Sequence, residues 1–254
     1  MIEDLKGKSV LITGASTGIG AAVARAFAAQ GAKVGIHYNH SKSEAETLAA
    51  DVRAKGGEAT LLQGDLCDSG AAQKIVDAMV AEFGRLDVLI NNAGSMVQRC
   101  PVAECTDELL DQVFDVNVRS VVSCCRAALA QFRKQGAGCI INTTSVAARN
   151  GGGPGAVLYA SSKGFVSTFT RGLARESTKD NVRVNAVAPG VILTPFHERY
   201  SSPAQLEAMR ATVPMGRLAE AEECVGAYLY LASDALSGYV TGQVMEVNGG
   251  QLMP

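Results

Sequence analysis

The chain has 254 residues, 47% of them hydrophobic, with 23 basic and 25 acidic side chains and a formal net charge of -2. That size suits one large α/β domain, and the balanced charge excludes a surface built for nucleic acid or an anionic membrane. No apolar run nears the about 18 residues needed to cross a bilayer, and the polar start, Met1 to Lys8, has no leader character. A cytoplasmic protein is expected, with residues 1–254 forming a single domain.

In chain order, Ser9–Thr13 predicts a strand, followed by a helix over Ile19–Gln30. Lys33–Tyr38 is the second strand and Ser43–Ala54 the second helix. A short strand at Thr60–Gln63 precedes a helix over Ser69–Phe83. Asp87–Asn91 is the fourth strand. A helical stretch over Asp107–Lys134 follows, interrupted near Asn117. Cys139–Thr143 is the fifth strand, and the helix after it carries Tyr159 and runs to Ser177. Val182–Val187, a helix over Ala221–Leu231 and a strand at Gln243–Val247 complete the pattern. Alternating strands and helices of this kind build a parallel sheet covered on both faces. Val10-Leu11-Ile12 and Val88-Leu89-Ile90 are apolar throughout, as doubly covered strands require. The expected fold is α/β, a doubly wound Rossmann-like domain with a mostly parallel seven-stranded sheet.

The seven cysteines include no Cys-x-x-Cys, which argues against a disulfide scaffold or zinc site. His37, His40 and His197 lack metal-ligand spacing, so no catalytic metal is expected. The first strand runs into Thr13-Gly14-Ala-Ser-Thr-Gly18-Ile-Gly20, directly before a helix. Glycines there allow a tight turn and close backbone approach, and the helix N-terminus favours a pyrophosphate. Gly14, Ser16, Thr17, Gly18, Ile19 and Gly20 are therefore candidate dinucleotide contacts. An acidic residue at the end of the second strand would hold the ribose 2′-hydroxyl of NAD and repel a 2′-phosphate. Asn39 stands there instead, followed by His40, Ser41 and Lys42. This favours NADP, with NAD as the alternative; Lys42 reads equally well as a solvated loop charge.

Tyr159-Ala-Ser-Ser-Lys163 places a phenol and an ammonium on one helix face. A neighbouring cation should lower the phenol pKa and let it carry a proton. Ser145, at the carboxyl end of the fifth strand, lies 14 positions before Tyr159. A serine-nucleophile reading fails for want of Gly-x-Ser-x-Gly.

The Gly-x-x-x-Gly-x-Gly loop, Asn91-Asn92-Ala93-Gly94, Ser145, Tyr159, Lys163 and Pro189-Gly190 together resemble the short-chain dehydrogenase/reductase family, from Lys8 to Gly250. The resemblance implies hydride transfer between NAD(P) and a carbonyl/alcohol substrate. Tyr159 would be the general acid/base and Ser145 a hydrogen-bond donor to the reacting oxygen. Lys163 would hold the nicotinamide ribose, and Asn117 a water linking the lysine to solvent. It further implies Asp65 and Leu66 near the adenine, Asn91, Ala93 and Gly94 beside the adenosine ribose, and Pro189, Gly190, Ile192 and Thr194 around the nicotinamide. Ser145 and Tyr159 stand one position farther apart than is usual in the family, and Gly151–Gly155 is expected to absorb the extra residue.

Substrate choice is expected in the segment from Thr194 to about Thr212, with Pro195, Phe196, His197, Tyr200 and Met209. Sugars and polyols, 3-oxoacyl thioesters and steroid-like ketones all fit. The chain is similar to both 3-oxoacyl-carrier-protein reductases and sugar dehydrogenases. Arg175 matches a carrier-docking position of the former, whereas its companion falls near Gly136, with only Arg133 and Lys134 nearby. A homotetramer or homodimer is implied, paired through the helices at 107–134 and 159–177. A non-catalytic dinucleotide sensor is the rival from another class, and such relatives lack the tyrosine or lysine.

Overall fold

The structure is a computed structural model that describes residues 1–68 and 70–253. Seven strands form one sheet: β1 (Ser9–Ile12), β2 (Lys33–Tyr38), β3 (Glu58–Gln63), β4 (Val88–Asn91), β5 (Gly138–Thr143), β6 (Val182–Pro189) and β9 (Val244–Val247). Their order is β3-β2-β1-β4-β5-β6-β9, and every neighbouring pair is parallel. The sheet is thus wholly rather than mostly parallel. The chain moves outward from β1 to β3, then crosses back to β4 on the other side of β1. That reversal opens a crevice at the strands' carboxyl ends, where doubly wound sheets take ligands.

Strand alternation divides the core in two. Val10, Ile12, Val88, Ile90 and Ile141 face a layer that includes α1 (Gly18–Ala29), α2 (Lys42–Ala54) and α10 (Val225–Ala232). Leu11, Leu89 and Ile140 face the layer of α3 (Ala71–Phe83), α5 (Ser120–Gln135) and α7 (Val157–Ser177). Because both faces are covered, β1 and β4 are buried at every position. The third helix was expected from Ser69, a residue outside those described.

The expected break near Asn117 is a widening rather than a stop. α4 (Asp107–Phe114) passes through a π-turn over Asp115–Arg119 into α5. Asn117 Nδ2 donates to the Val113 carbonyl four residues back (2.8 Å), a bond that inserts a side chain into the backbone ladder. The segment after Thr194 is more ordered than a lid-like loop. It holds two short helices, α8 (Pro195–Tyr200) and α9 (Pro203–Arg210). Each begins with proline, and Ser202 and Gln205 form a capping box. A two-residue ribbon, β7 (Ile192–Leu193) with β8 (Ala219–Glu220), closes the segment's base. Among the described residues no helix is long and apolar enough to cross a membrane.

Candidate active site

A cleft of about 740 Å³ opens over the crevice. One end is the first turn. No protein acceptor is found, among the described residues, for the amide N–H groups of Ser16 to Gly20, and Thr17 makes no side-chain cap bond. Orphan donors at the positive end of a helix suit a pyrophosphate. Gly14 and Gly18 lie at φ 60° and 56°, a region that favours glycine. A Cβ on Gly14 would come within 2.9 Å of Ala93 Cα. Gly20 has another job: a Cβ there would strike the Gly14 carbonyl and come within 2.6 Å of Asn92 Nδ2. It seats α1 against the loop and is not part of the cleft wall.

His37, which carries no metal spacing, also holds this loop. Its Nδ1 accepts the Gly14 N–H (3.1 Å), and its Nε2 faces the Gly64 carbonyl (3.0 Å). Both bonds together require a neutral ring with the proton on Nε2. The ring is buried, and burial pushes its pKa below the ordinary histidine value.

Other cofactor candidates divide by where their side chains point. Ser16, Thr17, Ile19, Asn39, Ala93, Gly94, Pro189, Gly190, Ile192 and Thr194 line the cleft. Asp65, Leu66 and Asn91 do not. Asn91 Nδ2 turns inward to Asn142 Oδ1 (2.9 Å) and clamps β4 to β5, so the adjacent Asn92 takes the wall. Leu66 packs into the core layer under α3. Asp65 accepts the Cys67 N–H (2.9 Å), the bond that does most to lower its pKa, and the Asn39 side chain lowers it further. Lys42 is exposed and pairs with Glu46 at 3.7 Å.

The other end of the cleft gathers Tyr159, Lys163 and Ser145. α7 sets Tyr159 and Lys163 one turn apart, with Lys163 Nζ 5.8 Å from the centre of the phenol ring. Nζ donates to the Thr143 carbonyl at the end of β5 (3.0 Å). Ser145 lies between β5 and the short helix α6 (Ala147–Asn150), accepts the Ala147 N–H (3.1 Å), and acts on the Tyr159 phenol by lowering its pKa. The loop after it holds three left-handed glycines, Gly151, Gly152 and Gly155. The expected lowering of the Tyr159 pKa by Lys163 is not found. Burial pushes the phenol up to about 12, against a smaller downward effect from Ser145. Burial also brings Lys163 down to about 8. Desolvation outweighs charge at this depth.

Asn117 is fully buried behind the wall. It accepts the Ser95 N–H (3.1 Å) and donates to the Ser95 carbonyl (2.7 Å). A Cβ on Gly94 would lie 2.8 Å from Asn117 Oδ1 and 3.0 Å from Lys163 Nζ, so Gly94 runs between the two. The lid closes over Tyr159. Phe196 packs on its ring (5.4 Å between centroids) and on Tyr200 (5.0 Å), whose hydroxyl meets Ser95 Oγ at 2.8 Å.

A glycine-lined helix start at a parallel-sheet switch point, facing a Tyr-Lys-Ser group with its lysine buried, is the arrangement of a dinucleotide-dependent oxidoreductase. Residues 14–251 match a family model described as Enoyl-(Acyl carrier protein) reductase. A 3-oxoacyl-[acyl-carrier-protein] reductase of Synechocystis sp. is 36% identical, over 98% of each chain. Among solved structures, the NADH-dependent reductase A1-R′ responsible for alginate metabolism is 38% identical with a TM-score of 0.90, covering 99% of this chain and 100% of that one. It has also been solved with NAD. A short chain dehydrogenase of Burkholderia cenocepacia in complex with NADP is 32% identical, with a TM-score of 0.89 and 98% and 99% coverage. The chain belongs to the short-chain dehydrogenase/reductase family and is an NAD(P)-dependent enzyme.

Proposed function

We propose that the enzyme reduces a small carbonyl compound to an alcohol, with Tyr159 as the proton carrier. The carrying observation is that Tyr159, Ser145 and Lys163 meet at one end of a cleft whose other end offers orphan amides. The dinucleotide, when bound, supplies or takes up the hydride. Tyr159 gives its proton to the carbonyl oxygen, and burial favours the neutral phenol that this step needs. Ser145 donates a hydrogen bond to the same oxygen and stabilises its developing charge. The Lys163 ammonium stabilises the phenolate left behind and holds the cofactor ribose. Asn117 is a positioning residue that fixes Ser95 and Gly94 beside Lys163. The cofactor reading uses Gly14, the 16–19 turn, Asn39, Ala93, Gly94 and the 189–194 segment, with Gly20 and Asn91 as supports. Asp65 and Leu66 serve it only by shaping the turn after β3.

Asn39 in place of a carboxylate supports NADP use alongside NAD. Lys42, already paired with Glu46, adds little to that preference. A ketone, aldehyde or sugar is favoured over a carrier-bound thioester. Arg133, near the expected carrier-docking position, is tied to Asp180 at 2.7 Å. Residues 1–254 acting as one domain, and assembly into a homodimer or homotetramer, belong to the same proposal. Phe165 and Val157 on α7 and Leu110 on α4 are exposed apolar side chains that support the assembly. The test is a panel of aldehydes, ketones, sugars and 3-oxoacyl thioesters scored by nicotinamide absorbance with each cofactor. Turnover of free carbonyls at least tenfold above thioesters is expected; no turnover of any, or a strong thioester preference, contradicts the reading.

A further inference from the structure

Among the described residues the cleft wall carries two basic side chains, Lys163 and Arg99, and no carboxylate. The chemistry above uses Lys163 and leaves Arg99 unexplained. Arg99 is partly buried in the loop after β4, and all its partners are neutral. Its Nε donates to the Tyr200 carbonyl (2.5 Å) and its Nη1 to the Pro154 carbonyl (3.0 Å), while Nη2 has only a 3.5 Å contact with Ser201 Oγ. A guanidinium has five N–H donors, so at least two remain for a ligand. Among the described residues no acidic side chain acts on it: burial alone moves its pKa, and moves it down. Nearby His197 is held neutral, its pKa pushed down to about 4 by burial and by Arg99.

Position gives this charge a meaning. Arg99 holds the Tyr200 carbonyl, the Tyr200 ring packs on Phe196, and Phe196 packs on Tyr159. The guanidinium and the phenol thus line the same cleft and are linked through the helix that carries Phe196 and Tyr200. The lengthened glycine loop runs along it, with the Cβ position of Gly153 3.9 Å from Nη1. A cation desolvated among neutral acceptors is poorly compensated, and an incoming carboxylate matches its planar fork.

We propose that Arg99 binds a carboxylate of the substrate, so that the enzyme prefers carbonyl compounds carrying a carboxylate several bonds from the reacting carbon. The carboxylate is a spectator: it orients the carbonyl toward Tyr159 and is not itself reduced. This rests on the oxidoreductase reading above. The competing role for Arg99 is a clasp that merely fastens the lid.

The test compares succinic and adipic semialdehydes with their methyl esters, on wild type and on Arg99→Met and Arg99→Lys. Wild type is expected to show kcat/KM for at least one acid on the order of 10- to 100-fold above its ester. Arg99→Met should bring that ratio near one, chiefly through KM of the acid, and Arg99→Lys should keep part of it. Equal use of acid and ester by wild type overturns the inference while leaving the oxidoreductase reading intact. So does Arg99→Met slowing acid and ester alike, which is the behaviour of a clasp. Calorimetry with the product alcohols, 4-hydroxybutanoate and its methyl ester, against the protein loaded with reduced cofactor reads the anion site with no hydride moving. Tighter binding of the acid, lost in Arg99→Met, supports the inference even if no carbonyl in the panel turns over; equal binding overturns it.

Discussion

Two buried titratable side chains, Lys163 and His37, carry opposite functional demands. The fall of Lys163 from 10.5 to about 8 reflects a charge placed where water cannot reach it. Below pH 8 the native and unfolded chains both hold this proton, and the native state bears the full desolvation cost of roughly 3 kcal/mol. Between about 8 and 10.5 the unfolded chain holds a proton the native chain lacks, so this group makes stability rise with pH there. Lys163→Met removes that cost but orphans the Thr143 carbonyl, for about 1 kcal/mol. It should be at least as stable as wild type in urea unfolding while losing more than about 100-fold in turnover. Reductive kcat/KM should fall as pH rises through about 8, where the ammonium is lost; a flat profile into the alkaline range would contradict its role. His37 works in the other direction. Its neutral ring accepts the Gly14 N–H, so protonation on acidification breaks the bond that shapes the phosphate turn. Dinucleotide affinity, followed by calorimetry, should decline on acidification more steeply in wild type than in His37→Asn, whose amide oxygen can accept the same bond without titrating.

At the scale of elements, the lid is an aromatic stack built on a capped pair of short helices. Phe196 touches Tyr159, so Phe196→Ala should raise KM on the order of tenfold and lower kcat less, because it removes contact with substrate and lid but no proton-transfer group. A larger fall in kcat than rise in KM would place Phe196 in the chemical step. The strands, the long helices and the glycine turn were legible in the sequence because each rests on local pattern: apolar runs, 3.6-residue periodicity and glycines before a helix. The Tyr159-Lys163 pair was legible for the same reason, since four residues of one helix fix it. What stayed hidden depends on contacts distant in sequence. Asn91 and Asn92 differ only in which way the strand end turns them, and that decided clamp against cleft wall. His37 reaches Gly14 across two strands, and Arg99 meets Tyr200 across 101 positions. Ser202-Pro203 with Gln205 is a helix start that local pattern does make readable. Helix spacing reports a neighbour's charge and not the depth of the site, and that depth is why the phenol's pKa lies above and not below its ordinary value.

At the scale of the molecule, the parallel sheet gives one switch-point crevice, with the Gly14–Gly18 turn at one end and Tyr159, Ser145 and Lys163 at the other. The exposed apolar side chains of α4 and α7 predict that the 26.4 kDa chain assembles. Light scattering after size exclusion should return a dimer or tetramer mass, and a monomer alone would contradict the assembly. The central claim is that the Tyr159 hydroxyl moves the proton that accompanies the hydride. Its most direct measurement is single-turnover nicotinamide absorbance for Tyr159→Phe, set beside the variant's calorimetric affinity for the cofactor. The expected result is a loss of about 10²- to 10⁴-fold in the chemical step with cofactor affinity within about threefold of wild type. Near-normal turnover in that variant would contradict the account.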